Sequence, residues 1–376
     1  MSRGKVVVAM SGGVDSSVAA ALLQQQGYEV IGMMLRLWAE PGREASNRCC
    51  TPQALSIARR VAGQLGIPFY AVNAQESFRN IVVQYFLDGY ASGGTPNPCL
   101  ACNRQIRWEF LLERALALGA DYMATGHYAR LVREEGQAVR LFEAVDAHKD
   151  QSYVLHVLNQ AKLQHALFPL GDLTKPEVRQ IAADLDLPAA TSKESQDLCF
   201  LAGQDYREFL QRHQPQFAQP GPILDRAGNR LGAHAGLVNF TIGQRKGLGV
   251  AAAQPLYVLA KDGAGNALIV GTKNELGGRE LLTEPASWLS GHVPTKEFDA
   301  DVKIRYSARK AQARVTPLAD GRARVDFSEP MRDITPGQAA VFYRNGEVLG
   351  GGLIAAEPGG QKAQATRLTS EAIPVL

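Results

Sequence analysis

The stretch VVVAMSGGVDSS, residues 6–17, carries the clearest structural signal in this chain. Its β-branched apolar start is typical of a strand buried on both faces, and the Ala- and Leu-rich residues 16–26 are typical of a helix. Glycines between the two let backbone N–H groups approach phosphate oxygens without a Cβ in the way, and the helix N-terminus adds its positive end. The stretch therefore predicts a strand–loop–helix unit that binds a phosphate group.

Other phosphate-binding loops have different patterns. The stretch has neither the Gly-Lys-Ser/Thr of a Walker loop nor the G-x-G-x-x-G of a dinucleotide-binding fold. An ordinary turn with a serine helix cap remains the alternative. The adjacent glycines at 12 and 13, with serine hydroxyls at 11, 16 and 17, favour the phosphate loop. Asp15 is expected either to orient this loop or to help hold Mg²⁺.

Outward from this unit, strand-like and helix-like segments alternate up to about residue 130. The predicted strands are residues 5–10, 28–35, 67–72 and 121–125, and the predicted helices are residues 16–26, 52–65, 76–90 and 103–118. This alternation predicts parallel strands joined by right-handed helical crossovers. We therefore expect an α/β fold with a doubly wound, mostly parallel sheet and ligands outside the carboxyl ends of its strands.

The pattern changes after residue 125. A hairpin is expected from residues 129–131 and 140–143, followed by helices at 176–185 and 204–211. Short strands are then expected at residues 254–260, 267–271, 301–306, 313–317, 323–327 and 339–343. We predict a catalytic domain over residues 1–203, a small β-rich central domain over 204–279, a C-terminal β-barrel over 280–358 and a tail over 359–376.

Composition places few limits on function. The 376 residues are 45% hydrophobic and 20% charged, with a net charge of +3, which excludes a polybasic protein. No apolar run approaches the roughly 18 to 20 residues of a membrane span, and no signal peptide is evident, so we expect a cytoplasmic protein. Residues 303–324 hold seven basic residues against one acidic residue. This segment predicts a stripe for RNA phosphates, with Lys303 and Arg305 on one strand face, or else a merely solvated basic surface.

Five cysteines are present: Cys49, Cys50, Cys99, Cys102 and Cys199. An odd number argues against a disulfide framework and leaves metal binding, redox chemistry or nucleophilic catalysis. Cys102 is expected at the start of the helix over residues 103–118, where the helix dipole favours a thiolate. The Cys-x-x-Cys pattern with one distant cysteine fits a zinc half-site, a cluster, or an attacking thiol with a partner thiol. The pattern assigns no role to Cys49 and Cys50.

A resemblance to a known family narrows these alternatives. The Ser-Gly-Gly-Val-Asp-Ser loop resembles the pyrophosphate loop (PP-loop) of the ATP pyrophosphatases. Across nearly the whole chain, the sequence is similar to the bacterial tRNA-specific 2-thiouridylases. The matching motifs are residues 11–16, 95–103, 124–128, 149–153, 197–200, 207–210, 241–249, 335–339 and 350–352.

The resemblance implies ATP-dependent 2-thiolation of the wobble uridine, position 34, of tRNA. ATP would adenylate the C2 oxygen with Mg²⁺ present, and sulfur transfer would then give 2-thiouridine, AMP and pyrophosphate. Cys199 would carry a persulfide and Cys102 would be the second catalytic thiol, forming a transient disulfide with it. The implied partners are tRNAs with Lys, Glu and Gln anticodons and a cysteine desulfurase or sulfur-relay protein as donor.

The same resemblance implies the site residues. The ATP contacts would be Ala9, Met10, Ser11, Gly12, Gly13, Val14, Asp15, Ser16, Leu35 and Gly126. The target base would contact Asn97, Pro98 and Cys99. The tRNA would contact His127, Lys149, Asp150, Gln151, Arg305, Tyr306 and Gln338.

Three alternatives stay open at this point. Many relatives have Asp where this chain has Cys99, and a third cysteine would complete a ligand set for a [4Fe-4S] cluster, made of Cys99, Cys102 and Cys199. The loop would also serve another adenylating PP-loop ligase or amidotransferase. A non-catalytic RNA-binding protein with a redox or cluster sensor is the third alternative.

Overall fold

The computed structural model describes residues 3–42, 51–192 and 198–356. Cys49, Cys50 and the predicted tail over 359–376 lie outside these ranges. Within the described ranges, no helix has the length and apolar character needed to cross a membrane.

The strands are numbered in chain order. They are β1 (Lys5–Ala9), β2 (Glu29–Arg36), β3 (Phe69–Asn73), β4 (Tyr122–Thr125), β5 (Arg130–Val132), β6 (Arg140–Phe142), β7 (Ala166–Leu167), β8 (Gly221–Leu224), β9 (Arg230–His234), β10 (Tyr257–Asp262), β11 (Ala267–Gly271), β12 (Gly278–Leu282), β13 (Ser287–Trp288), β14 (Phe298–Lys303), β15 (Ala311–Pro317), β16 (Ala323–Met331), β17 (Ala339–Arg344) and β18 (Glu347–Leu353).

Helices connect and cover these strands. The α-helices are Val14–Gln25, Pro52–Leu65, Gln75–Phe78, Gln84–Ala91, Pro98–Ala101, Leu112–Ala117, Ser152–Leu155, Gln160–Gln164, Lys175–Asp184 and Tyr206–His213. Wide π-helical turns occupy Arg79–Val83 and Cys102–Leu111, and 3₁₀ turns occupy Cys199–Leu201, Pro215–Ala218, Leu237–Asn239 and Lys273–Glu275.

The first sheet confirms the predicted doubly wound α/β fold. Its strand order is β3-β2-β1-β4-β7, and every neighbouring pair is parallel. In the central strand β1, Val7 packs into one hydrophobic core, while Val6 and Val8 pack into a second core on the opposite face. All three valines are 0% exposed, as the apolar run of a strand covered on both faces requires.

Two further sheets confirm the predicted β-rich remainder. The central sheet has the order β10-β11-β8-β9 and encloses a small core that includes Ile223, Val258 and Leu268. The C-terminal sheet runs β12-β16-β15-β14-β17-β18-β6-β5. It closes into a barrel because β13 pairs with β18, and because Thr283 after β12 pairs with Ile354 after β18.

Several contacts join the barrel to the first 203 residues, and two of them are backbone pairings. The predicted hairpin β5–β6 is present and extends the barrel sheet, with Leu141 of β6 opposite Val348 of β18. In addition, the backbone N–H of Thr95 donates to the carbonyl of Pro336 at 2.9 Å. These contacts place the barrel against the segment that bears Cys99.

Candidate active site

The loop between β1 and the helix Val14–Gln25 is closed by its own serines. The Ser11 N–H donates to Ser16 Oγ at 3.1 Å, and Ser17 Oγ donates to the Gly13 carbonyl at 2.9 Å. Gly12 has φ +75°, and a Cβ there would lie 2.3 Å from the carbonyl oxygen of Ala54. The loop therefore has a defined shape that requires glycine at position 12.

The predicted ATP-contact residues come together at the carboxyl ends of three adjacent strands. Ala9 ends β1, and Gly126 follows β4, which pairs with β1. A Cβ on Gly126 would lie 2.9 Å from the backbone N of Ser16, so this glycine lets the two segments meet. Leu35 lies near the end of β2, on the other side of β1, and is 9% exposed. This edge is where ligands bind in doubly wound sheets.

Asp15 is held by two residues that lie far from it in sequence. Lys175 Nζ lies 2.6 Å from Oδ1 and 2.8 Å from Oδ2 of Asp15, and Tyr128 Oη donates to Oδ1 at 2.8 Å. Sequence reasoning missed Lys175 because the pair spans 160 positions and no local pattern joins them. Both carboxylate oxygens of Asp15 are thus engaged, which supports its predicted orienting role.

His127, a predicted tRNA contact, is 4% exposed. Nη1 of Arg107 lies 3.0 Å from its Nε2, and Thr125 Oγ1 lies 2.7 Å from its Nδ1. Since arginine only donates, Nε2 accepts and Nδ1 carries the hydrogen that is donated to Thr125. Burial, and then the charge of Arg107, hold the pKa of His127 well below its ordinary value. This neutral ring lies inside the protein and fixes the segment between β4 and Tyr128.

The helix that bears the cysteine pair begins earlier than the sequence predicts. It starts at Pro98, with the Asn97 side chain accepting a hydrogen bond from the Cys99 N–H at 3.1 Å. Cys102 therefore lies inside a continuous helical segment, where it is the first residue of the π-helical turns Cys102–Leu111. It is 8% exposed. Cys102 is thus the fifth residue of the helical segment instead of the residue before its first, because Pro98 and Asn97 supply the start signal.

A cavity of about 440 Å³ lies between the segment that bears Cys99 and Cys102 and the segment that bears Cys199. Its lining residues are Phe86, Tyr90, Pro96, Asn97, Pro98, Leu198, Leu201, Gly203, Gln204, Asp205, Tyr206 and Gln338. Pro98 precedes the exposed Cys99, and Leu198 precedes the half-buried Cys199. The rings of Tyr90 and Tyr206 stack with centroids 5.4 Å apart, and burial raises the pKa of Tyr90. The cavity is aromatic and has the size of a small-molecule site.

Two predicted tRNA contacts of the barrel bind protein groups in this structure. Gln338 Nε2 donates to the Thr95 carbonyl at 2.7 Å. The guanidinium of Arg305 donates to the hydroxyl of Thr335 and lies 3.9 Å from the Asp333 carboxylate. Both side chains therefore stabilise the barrel loop before β17, which contacts the chain at Thr95, just before the Cys99 helix.

The barrel also supplies one exposed aromatic ring. Tyr306 is 44% exposed, its ring centroid lies 6.2 Å from that of Tyr153, and Lys303 Nζ lies 5.6 Å from its ring. Burial, then the charges of Asp150 and Cys99, raise the pKa of Tyr306. Tyr306 is thus a partly exposed ring that packs beside Tyr153 and Lys303.

The predicted contacts at 149–151 differ in exposure. Lys149 and Gln151 are half-buried, and Gln151 Oε1 accepts from the Tyr128 N–H at 3.1 Å. Asp150 is 6% exposed, and its carboxylate accepts from the Ser152 hydroxyl at 2.8 Å and the Ala144 N–H at 3.0 Å. Its oxygens are directed at the protein interior, so its position indicates a role in shaping this turn.

The basic segment over residues 303–324 is largely paired. Its ion pairs are Arg305–Asp333, Lys310–Glu143, Arg314–Glu297, Arg314–Asp299, Arg322–Asp320 and Arg324–Asp326. Among the described residues, Lys303 and Arg309 have no carboxylate within ion-pair distance. The expected strand over 301–306 ends at Lys303, so Lys303 and Arg305 do not share a strand face. The count of basic residues along the segment therefore overstates its free positive charge, because carboxylates from inside and outside the segment pair with most of it.

No group of three or more His, Cys, Asp or Glu side chains that could hold a metal ion is found within residues 3–42, 51–192 and 198–356. Cys99, Cys102 and Cys199 all belong to these ranges. In this arrangement the three cysteines do not fit a common cluster.

The fold and the loop together define a class of protein. A parallel sheet with Ser-Gly-Gly at the carboxyl end of its central strand is a PP-loop nucleotide-binding domain. Three family profiles match the chain: "tRNA methyl transferase HUP domain" over residues 4–203, "tRNA methyl transferase PRC-barrel domain" over 207–272 and "Aminomethyltransferase beta-barrel domain" over 278–354.

Similar proteins identify the family within this class. The tRNA-specific 2-thiouridylase MnmA of Roseiflexus castenholzii is 49% identical over 367 residues, covering 93% of this chain and 99% of that protein. The one from Moorella thermoacetica is 50% identical over 353 residues, covering 93% and 98%. The chain belongs to the tRNA-specific 2-thiouridylase family. Among solved structures, the U34-tRNA thiolase NcsA of Methanococcus maripaludis is a distant neighbour. Its TM-score is 0.35 at 20% identity, over 57% of this chain and 69% of that one.

Proposed function

We propose that the chain catalyses ATP-dependent 2-thiolation of uridine 34 in tRNA, with AMP, pyrophosphate and 2-thiouridine as products. The observation that carries the proposal is the family membership over nearly the whole chain, since those relatives are named as 2-thiouridylases. The phosphate loop and the cavity between the two cysteine-bearing segments supply the parts that this reaction needs.

In the first step, the loop over residues 11–16 binds the phosphates of ATP through backbone N–H groups at the start of the helix Val14–Gln25. The C2 oxygen of the uracil attacks the α-phosphorus, the bond to pyrophosphate breaks, and the uracil becomes an O-adenylate. This converts a poor leaving group into AMP. Leu35 on β2 and Gly126 just after β4 flank the loop and complete the nucleotide site.

In the second step, the terminal sulfur of a persulfide on Cys199 attacks C2 and AMP leaves. The thiolate of Cys102 then attacks Cys199 Sγ, so the S–S bond breaks and the sulfur remains on C2. A Cys102–Cys199 disulfide results, and a dithiol reductant restores both thiols. The persulfide sulfur is supplied by a cysteine desulfurase, directly or through a sulfur-relay protein.

Magnesium would enter this site with the phosphates of ATP. Asp15 does not fit as its ligand in this arrangement, because Lys175 and Tyr128 engage both carboxylate oxygens. The three cysteines do not form a ligand group for a [4Fe-4S] cluster in this arrangement of the described residues.

The RNA side of the proposal rests on one exposed ring and two half-buried polar side chains. Tyr306 offers a ring for an unstacked anticodon base, and Lys149 and Gln151 lie on the segment that contacts Tyr128. His127, Asp150, Arg305 and Gln338 support these surfaces from within. The substrates would be tRNAs with Lys, Glu and Gln anticodons, in the cytoplasm.

The test is mass spectrometry of anticodon nucleosides after reaction with ATP, tRNA and a persulfide donor. Replacing Cys102 or Cys199 with Ser should abolish 2-thiouridine while tRNA-dependent release of pyrophosphate survives, because adenylation needs neither thiol. Full thiolation by both variants would overturn the sulfur-transfer scheme.

A variant at Cys99 separates the persulfide scheme from the cluster scheme. Cys99→Asp keeps a polar group at the position but removes a ligand sulfur. It should retain sulfur transfer, with at most a change in KM for tRNA, and protein purified without oxygen should be active without iron. Loss of thiolation in Cys99→Asp, together with iron and labile sulfide in the active wild type, would replace the persulfide scheme by a cluster.

A further inference from the structure

Lys175 is a buried ammonium that reaches the phosphate loop from a distant element. It is 7% exposed and is the first residue of the helix Lys175–Asp184. Its Nζ lies within hydrogen-bond distance of both oxygens of Asp15, which belongs to the first turn of the loop helix. Neither the sequence motifs nor the proposed mechanism assigns Lys175 a role.

The start of the Lys175 helix is fixed without this ammonium. Thr174 and Glu177 form a reciprocal capping box. The backbone N–H of Lys175 donates to Asp146 Oδ2 at 2.9 Å, and this bond is the largest cause that lowers the pKa of Asp146. The side chain of Lys175 is therefore not needed to begin its helix, and its charge acts on the loop.

The charge of Asp15 explains why a cation is required there. The Asp15 side chain is 34% exposed and stands two residues after Gly13, at the helix end that would receive the phosphates. An uncompensated carboxylate at this place would repel a polyphosphate. The hydroxyl of Tyr128 orients the same carboxylate but brings no charge.

We infer that Lys175 is a positioning residue that neutralises and fixes Asp15, so that the loop can accept the polyphosphate of a nucleotide. The inference rests on the proposed use of ATP. It predicts that Lys175 acts through Asp15, so the effect of removing Lys175 should disappear once Asp15 has no charge.

The experiment is a double-mutant cycle on the full chain, measured as the Kd of a non-hydrolysable ATP analogue by calorimetry. Lys175→Met should weaken binding roughly 10- to 100-fold. The loss of affinity should be smaller at high salt, because salt screens the repulsion between the partly exposed Asp15 carboxylate and the polyphosphate. In the background of Asp15→Asn, adding Lys175→Met should change the Kd by less than about threefold relative to Asp15→Asn alone. The Kd for tRNA should not change in either variant.

Lys162→Met is the matched control, because Lys162 is a half-buried lysine paired with Glu109 at 3.1 Å, away from the loop. It should bind the analogue as the wild type does. Wild-type affinity in Lys175→Met, or the same loss of affinity when Lys175→Met is added to Asp15→Asn, would overturn the inference. A wild-type chain that does not bind the analogue at all would overturn the proposed function, and the inference with it.

Discussion

Gly12 occupies the tightest position in the phosphate loop. Its φ of +75° is left-handed, and a Cβ there would lie 2.3 Å from the backbone oxygen of Ala54 in the helix Pro52–Leu65. Gly27 also has a left-handed φ, of +88°, but a Cβ there meets nothing within 4 Å. A side chain at Gly27 would therefore meet only backbone strain, whereas a side chain at Gly12 would meet both backbone strain and a steric clash.

We expect Gly12→Ala to cost roughly 2–4 kcal/mol of unfolding free energy and to raise the KM for ATP, because the loop must move away from Ala54. Gly27→Ala should cost only about 1 kcal/mol and leave that KM unchanged. Urea titration and ATP kinetics check both values. Equal effects of the two variants would contradict the steric explanation.

Residue patterns located the loop but not its charge partner. Ser11, Gly12 and Gly13 are adjacent in sequence, so their geometry follows from local rules. Lys175 meets Asp15 only because the chain folds back across 160 positions, and nothing in a Lys-Pro-Glu helix start points to a carboxylate elsewhere. Pairings of this kind depend on the tertiary fold.

At the scale of elements, the Cys99 segment is held by both C-terminal parts of the chain. From the central sheet, Lys261 Nζ donates to the Gly94 carbonyl at 3.1 Å. From the barrel, Gln338 Nε2 donates to the Thr95 carbonyl at 2.7 Å, and the Pro336 carbonyl accepts from the Thr95 N–H. The loop before the cysteine helix is thereby fixed from two sides.

This arrangement predicts the phenotype of Gln338→Ala. Losing the bond to Thr95 should lower kcat for thiolation roughly 5- to 30-fold, as expected for 1–2 kcal/mol of lost positioning, with the Kd for ATP unchanged. Gln312→Ala is the control, since Gln312 pairs with Asp301 elsewhere on the barrel. A normal kcat with a raised KM for tRNA would instead indicate that Gln338 contacts RNA directly.

The sequence predicts the boundaries of strands well where the apolar pattern is strong. It predicts them poorly where packing between distant segments determines that a strand forms. The parallel strands β1–β4 agree with the sequence to within two residues. The strand β18 was missed because it contains glycines 350–352, which are depleted in strands. A Cβ on Gly350 would lie 2.3 Å from the backbone oxygen of Ser287. Glycine therefore lets β13 pair closely with β18 where the barrel closes, a contact that depends on the tertiary fold.

At the scale of the whole molecule, the number of basic residues in a segment does not give its net surface charge. The fold brings carboxylates from other parts of the chain next to the basic side chains of residues 303–324. Arg305, Lys310 and Arg314 each have an acidic partner that lies outside the counted segment. The net charge of +3 is therefore spread over a surface of mixed sign. Most such exposed pairs contribute little to stability, so the pH dependence of stability should come from buried groups.

Three buried histidines, His127, His156 and His234, are such groups, and burial lowers the pKa of each. Burial lowers the pKa of His156 to about 4, although its bond to the Tyr153 carbonyl acts in the opposite direction. His127 has a pKa well below its ordinary value for the reasons given above. An unfolded histidine has a pKa of about 6.5. Between this value and pH 4, the unfolded chain therefore binds protons that the folded chain does not.

The free energy of unfolding should consequently fall as the pH is lowered from about 6.5 towards 4, by at most ~1.4 kcal/mol per pH unit for each histidine. His156→Asn keeps a donor for the Tyr153 carbonyl but cannot be protonated, so its loss of stability over this range should be smaller. Urea titrations at several pH values measure the slopes. His292→Asn, at an exposed position, controls for removing a histidine and should keep the wild-type slope. Identical slopes for wild type and His156→Asn would show that acid sensitivity arises elsewhere.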